Sequence, residues 1–219
     1  FSVRIKNAEN FELRDKTKSN IIFASHCCWW DGLIAYLLTR KVFKTKMHMM
    51  IEELYRFPLL SKIGAFSVIK NSAHSSFKAI NYSLEVLQNS ENSLWIYPQG
   101  IVLPQDYRPI KFASGIGYLC KKMGGVNLIP VAHRYNFIRE DRPEVFIEVG
   151  TPVVLHENIT DKKELTEKIE KEFTKLMEKQ RTEISHGKLK DYEFLFKSQL
   201  GITKLAEKYF TLLVRSFGI

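Results

Sequence analysis

The sequence predicts an α/β fold in which a mixed, mostly parallel sheet is flanked by helices and followed by a helical C-terminal extension. Three observations carry this expectation. Short apolar runs alternate with stretches of helical periodicity through the first 160 residues, as in strand–helix–strand units. Hydrophobic residues make up 45% of 219 residues, enough to bury a substantial core. From Asp161 onward the composition shifts to Lys and Glu with apolar residues at helical spacing.

Taken in order, Ile21 to Ala24 is the first strand, and after a polar break Leu33 to Leu38 continues as an apolar helix. Ala65 to Ile69 reads as a strand and Ser76 to Gln88 as a helix. Leu94 to Tyr97, Asn127 to Ala132 and Val145 to Val149 read as further strands, with a helix around Gly115 to Lys122. Alternation of this kind favours a parallel sheet. Leu165, Ile169, Phe173 and Leu176 recur at helical spacing and define an amphipathic docking helix ending near Ser185. The last stretch, Tyr192 to Ile219, is amphipathic and basic, and is expected as a helix packed either on the core or on a membrane surface. Residues 1–160 are thus the expected domain and residues 161–219 its helical extension.

The formal charge of +9 suits polyanionic partners, whether nucleic acid, anionic lipid headgroups or the phosphates of coenzyme A. No recognised nucleic-acid motif accompanies it, so no nucleic acid is expected. Cys27, Cys28 and Cys120 are odd in number and two are adjacent, which excludes a disulfide framework and a C-x-x-C metal pair. A cytoplasmic setting and no metal site are the expectations. No run of about 18 apolar residues marks a transmembrane helix. Residue 1 is Phe, and an upstream membrane anchor is an expectation left open by that start.

The pattern H-x-x-x-x-D occurs three times, at His26 to Asp31, His156 to Asp161 and His186 to Asp191. Context separates the copies. Five residues along a continuous helix rotate two side chains about 140° apart, so a contacting pair requires a strand-to-helix turn. Only His26, directly after an apolar strand, and Asp31, opening an apolar helix, have that setting. The other two copies lie in polar stretches read as helix starts, where Asp161 serves as an N-terminal helix carboxylate. In the first copy a neutral imidazole can take a proton from a hydroxyl while the carboxylate fixes its tautomer. Such base catalysis contributes about 10²–10⁴-fold and needs neither a metal nor a covalent intermediate. Cys27 and Cys28, on a tight turn, are expected to point apart and to serve as small packing residues. Trp29 and Trp30 are read as core or membrane-interface residues.

Four blocks in order, over roughly Ile5 to Pro152, resemble the glycerolipid acyltransferase superfamily, which includes bacterial lysophosphatidic acid acyltransferases. Ser25-His26-Cys27-Cys28-Trp29-Trp30-Asp31 resembles the family's first block, with Ser25 where Asn is usual. Gly64 to Lys70 resembles the second, with Lys70 in the arginine place: a cation is kept but the bidentate fork is lost. Tyr97-Pro98-Gln99-Gly100-Ile101-Val102 stands where the family has aromatic-Pro-Glu-Gly-Thr-Arg, so a neutral Gln99 and two apolar residues replace its polar groups. Leu128-Ile129-Pro130-Val131, preceded by Lys111 to Gly115, resembles the fourth.

The resemblance implies acyl transfer from acyl-CoA or acyl-carrier protein, as co-substrate and with no cofactor, to a hydroxyl of a lipid acceptor, with lysophosphatidic acid the leading one. It implies His26 as general base and Asp31 as its orienting carboxylate. Lys70, Gln99 and Gly100 are expected to position the acceptor, with Arg108 and Lys111 as compensating cations. Gly64 and Gly100 are expected in turns of positive φ, Gly100 also offering a backbone N–H. The protein is expected on the cytoplasmic side of a membrane, peripheral or anchored. The altered third block leaves room for an acceptor without phosphate, such as a glycolipid or a glycosylated carotenoid. Outside that chemistry stand a thioesterase using Cys27 or Cys28 and a non-catalytic lipid-binding module.

Overall fold

The computed structural model describes residues 1–52, 54–69, 72–138, 142–153 and 161–198. Among them are the strands β1 (Ser2–Lys6), β2 (Asn20–Ala24), β3 (Lys46–Ile51), β4 (Ala65–Ser67), β5 (Asn92–Ile96), β6 (Asn127–Asn136), β7 (Glu144–Val149) and β8 (Glu193–Phe196). They form one sheet in the order β4-β3-β5-β2-β6-β7-β1-β8. All neighbours from β4 to β6 are parallel, as are β7 and β1, whereas β6–β7 and β1–β8 are antiparallel. The sheet is therefore mixed and mostly parallel, as predicted.

The helices are α1 (Trp30–Leu38), α2 (Ala73–Val86), α3 (Gly115–Met123) and α4 (Lys162–Ser185). Strand alternation divides the core into two layers. Ile22 and Ala24 of β2 point to the side of Ile34, Ala35 and Leu38 on α1. Ile21 and Phe23 point to the other side, against Ile116 and Leu119 on α3 and Leu165, Ile169 and Phe173 on α4. Every residue of β2 is buried, which fixes the strand whose end carries the site. Along α4 the inward series continues through Met177, with Leu176 only partly buried beside it. Asp161 caps this helix by accepting from the Glu164 N–H at 3.3 Å.

Three readings change. β1 and β3 went unpredicted because charged and polar residues interrupt them. In β1, Arg4 pairs with Glu144 at 2.9 Å and Lys6 with Glu183 at 2.7 Å, so partners supplied by β7 and α4 make these charges compatible with burial. Glu193–Phe196, expected within the terminal helix, is instead an edge strand antiparallel to β1, where β-favouring aromatics meet an otherwise open edge. Residues 199–219, the remainder of that predicted helix, lie outside the described residues. His186 occupies the C-terminal cap of α4, not a helix start. His156 also lies outside the described residues.

Gly64 adopts φ +95°, and a Cβ there would meet the Met47 carbonyl oxygen at 1.8 Å. That close approach lets β4 join β3.

Candidate active site

β2 ends at Ala24, and the chain turns through residues 25–29 into α1, whose first turn contains Asp31. An acidic residue is favoured there by the partial positive charge of the helix N-terminus. The Asp31 side chain reaches back over the turn and is almost wholly buried, at 2% exposure. Its Oδ2 accepts from the backbone N–H groups of Cys27 at 2.7 Å and Cys28 at 3.0 Å, and contacts His26 Nδ1 at 2.7 Å. Its Oδ1 accepts from the Tyr135 hydroxyl at 2.8 Å and lies 3.0 Å from His133 Nε2. The carboxylate therefore organises the turn and the imidazole together.

Burial by itself would raise the proton affinity of Asp31. The hydrogen bonds from His133 and His26, followed by the Cys28 N–H, outweigh it and hold the carboxyl well below the usual carboxylate range. An ionised carboxylate only accepts, so the short contact assigns a proton to His26 Nδ1, and in the neutral imidazole Nε2 then carries the lone pair. The His26 side chain is 28% exposed, open enough to receive a substrate proton.

Three further contacts fix His26. Its ring stacks on Tyr97 with centroids 4.5 Å apart and planes at 20°. Its N–H donates to Gln99 Oε1 at 2.9 Å, and its carbonyl accepts from the Leu103 N–H at 2.9 Å. The Tyr97 hydroxyl and Ser25 Oγ are buried without a partner among the described residues.

The other predicted residues are placed differently from one another. Gln99 holds the backbone of His26 through its side-chain oxygen. Gly100 has the expected positive φ, at +70°, but its N–H is already donated to the Tyr97 carbonyl at 3.0 Å and so is not a free donor. Arg108 forms an ion pair with Glu178 on α4 and donates to the carbonyls of Gln105 and Tyr107. Lys111 pairs with Glu170, also on α4, at 3.0 Å. The fold thus brings His26, Asp31 and Gln99 together and turns Arg108 and Lys111 toward α4. Lys70 lies outside the described residues.

The two thiols do not point apart, contrary to the expectation from their adjacency. Cys27 Sγ lies 3.6 Å and Cys28 Sγ 3.4 Å from Asp31 Oδ1, because the carboxylate gathers the whole turn around itself. Burial first, and then the Asp31 charge, push the Cys27 thiol up; the Cys28 thiol is also raised, chiefly by burial. Both are neutral donors near pH 7, which removes the basis for a thiolate nucleophile. Trp29 and Trp30 are exposed, at 59% and 45%, so they are not core residues.

His133 and Tyr135 escaped the sequence reading. The β2–β6 register pairs Ala24 with Val131, and counting two residues on along both strands reaches His26 and His133. A histidine and a tyrosine two apart, directly after a fully apolar strand segment, was the available signal.

The sequence model of the Acyltransferase family matches residues 2–134, an interval containing His26, Asp31, Gln99 and His133. A 1-acyl-sn-glycerol-3-phosphate acyltransferase of Streptococcus pneumoniae (strain ATCC BAA-255 / R6) is 24% identical over 181 residues, which cover 76% of this chain. The chain spans 64% of the length of that relative.

Proposed function

This chain belongs to the acyltransferase family, and from that premise we propose that it moves a fatty acyl group from acyl-CoA or acyl-carrier protein to a hydroxyl of a lipid acceptor, with lysophosphatidic acid as the leading acceptor. The observation that carries the reading is the 2.7 Å contact between His26 Nδ1 and a buried Asp31, with Nε2 left as a base.

In the proposed reaction, His26 Nε2 takes the proton of the acceptor hydroxyl as its oxygen attacks the thioester carbonyl carbon. Asp31 stabilises the resulting imidazolium. The tetrahedral intermediate then collapses, the carbon–sulfur bond breaks, and the imidazolium returns the proton to the departing thiolate. No group other than the two substrates and the His26–Asp31 pair is needed. The acyl chain and the acceptor are lipidic, and exposed Trp29 and Trp30, with Phe57 6.2 Å from the Trp29 ring, offer an aromatic surface beside the site for contact with a membrane. Among the described residues no helix is long and apolar enough to cross a membrane.

One observation favours a second acceptor class. The third block has lost its cation, and Arg108 and Lys111 are engaged by Glu178 and Glu170. An acceptor without phosphate, such as a glycolipid or a glycosylated carotenoid, fits that distribution of charge.

Mass spectrometry of lipid products, after incubating the protein with acyl-CoA and either lysophosphatidic acid or neutral glycolipids, separates the two acceptors. His26→Ala is expected to remove most turnover while leaving folding and liposome binding intact. Turnover retained in that variant rejects the general-base assignment. Tight liposome binding with no turnover in the unaltered protein would instead support a non-catalytic lipid-binding module.

A further inference from the structure

The parallel strands β2, β3 and β5 give the sheet two unlike ends, and α1 runs between them. At the carboxyl end, beside His26, the segments that follow these strands expose Trp29, Trp30, Tyr55, Leu59, Ile101 and Val102. α1 starts there, with Asp31 in its first turn, and leads back to the amino end, where β3 begins at Lys46. The stretch that arrives there is cationic. Arg40, Lys41, Lys44 and Lys46 are exposed, and no Asp or Glu occurs from Gly32 to Ile51.

These cations stand on an anchored turn. Thr39–Phe43 extends α1 by a single π turn, in which the Lys44 N–H donates to the Thr39 carbonyl at 2.8 Å. Such turns are rare and recur at functional sites. Thr39 is buried, its hydroxyl accepting from Trp95 Nε1 at 2.7 Å, and buried Phe43 stacks on Phe11 with centroids 4.3 Å apart. Among the described residues the side chains of Arg40, Lys41 and Lys44 enter no ion pair or hydrogen bond.

The distance between the two ends suits an acyl thioester. Asp31 and Arg40 are nine residues apart, about 14 Å at the rise of an α-helix. From thioester sulfur to phosphate, a pantetheine arm has roughly thirteen bonds, the reach of about four extended residues or ~15 Å. Trp30 and Leu33, both exposed, and half-buried Leu37 follow one another at helical spacing along α1 before Arg40.

With the acyl transfer proposed above as premise, we propose that Arg40, Lys41 and Lys44 bind the phosphate of the donor's phosphopantetheine arm. The arm lies along α1, with the thioester at His26 and the acyl chain toward the apolar end. The donor's polarity then matches that of the protein, its lipid part meeting exposed aromatics and its charged part exposed cations. Anionic headgroups of a bilayer suit these cations less well, because a membrane touching them would lie the length of α1 away from Trp29 and Trp30. Coenzyme A and acyl-carrier protein both carry this phosphate.

The test combines Arg40→Gln, Lys41→Gln and Lys44→Gln and measures steady-state rates with acyl-CoA, acyl-carrier protein and an acyl-pantetheine that lacks the phosphate. KM for the phosphate-bearing donors should rise about tenfold on loss of three exposed charge contacts, with kcat and the acceptor's KM unchanged. Added salt should raise KM in the unaltered protein toward that of the variant. Acyl-pantetheine should serve both proteins equally. Lys121→Gln combined with Lys122→Gln, at the end of α3, should alter none of these values. The donor whose KM rises more is the natural source of the phosphate.

An unchanged KM for both phosphate-bearing donors overturns the site, as does an equal rise with acyl-pantetheine. If the unaltered protein turns over no donor, the proposed function fails, and calorimetric titration with coenzyme A decides the site separately. Tighter binding to the unaltered protein than to the triple variant upholds it; equal or absent binding overturns it.

Discussion

Replacing Asp31 by Asn tests how the buried carboxylate serves His26, and the structure says which way the amide must turn. The two backbone N–H donors at Oδ2, from Cys27 and Cys28, cannot reverse their role. The groups at Oδ1 can: the Tyr135 hydroxyl rotates to accept, and His133 changes tautomer. The amide oxygen of Asn therefore takes the Oδ2 position and still accepts from His26 Nδ1. The tautomer survives and only the charge is lost.

With charge centres about 4 Å apart and an effective dielectric constant near 20, that charge stabilises an imidazolium by about 4 kcal/mol, an upper figure because His26 is partly open to solvent. The expected loss in kcat is about 10²–10³-fold, with KM little changed. Thioester turnover can be followed by release of the CoA thiol, alongside circular dichroism to confirm folding. Combining Asp31→Asn with His26→Ala should cost nothing beyond His26→Ala alone, since the carboxylate acts through the imidazole. A folded Asp31→Asn variant within about fivefold of the unaltered rate would refute the electrostatic role.

The same group has a signature in acid. Asp31 is held below its ordinary value, so its ionised form contributes stability above the unfolded aspartate value of about 3.9, a contribution lost as pH falls below that value toward the folded one. Melting temperatures measured across that range should fall less steeply in Asp31→Asn; an unchanged slope would contradict the linkage. At Gln99, a change to Met leaves the His26 N–H without its acceptor and should cost about 1–3 kcal/mol together with a lowered kcat, whereas Gln99→Glu keeps the acceptor and should retain activity. Equal behaviour of the two variants in urea titrations and rate assays would show that the bond does not matter. Burial pushes the Cys120 thiol up to about 12, so iodoacetamide near pH 8 should label it only after unfolding, as intact-mass measurement can show. Gly64→Ala meets both a φ of +95° and the Met47 carbonyl, and the strain at φ alone should cost about 1–3 kcal/mol. A denaturation midpoint equal to that of the unaltered protein would exclude a close approach of β4 to β3.

The α/β class with its mostly parallel sheet and the His26–Asp31 pair follow from patterns that are local in sequence. An apolar strand, a short polar turn and an apolar helix are contiguous, and their periods declare how they pack. That was enough to choose one of three identical spacings, because a helix cannot bring residues five apart together whereas this turn can. Burial along β2 and the 2.7 Å contact follow from the same local grammar.

What the chain alone did not reveal depends on partners far away in sequence. β1 reads as polar until Glu144 and Glu183, on β7 and α4, neutralise Arg4 and Lys6. Arg108 and Lys111 read as free cations until α4 supplies their carboxylates. Gln99 reads as a residue that positions the acceptor, and in the fold its side chain braces the His26 backbone from another loop. His133 and Tyr135 meet Asp31 only because β6 lies parallel beside β2 in one register. Sequence determined which residues could do the chemistry, since periodicity and turn geometry are properties of neighbours along the chain. Tertiary structure decided which polar groups are already engaged and which are free, because hydrogen bonds and ion pairs are completed across the sheet by residues about a hundred positions apart.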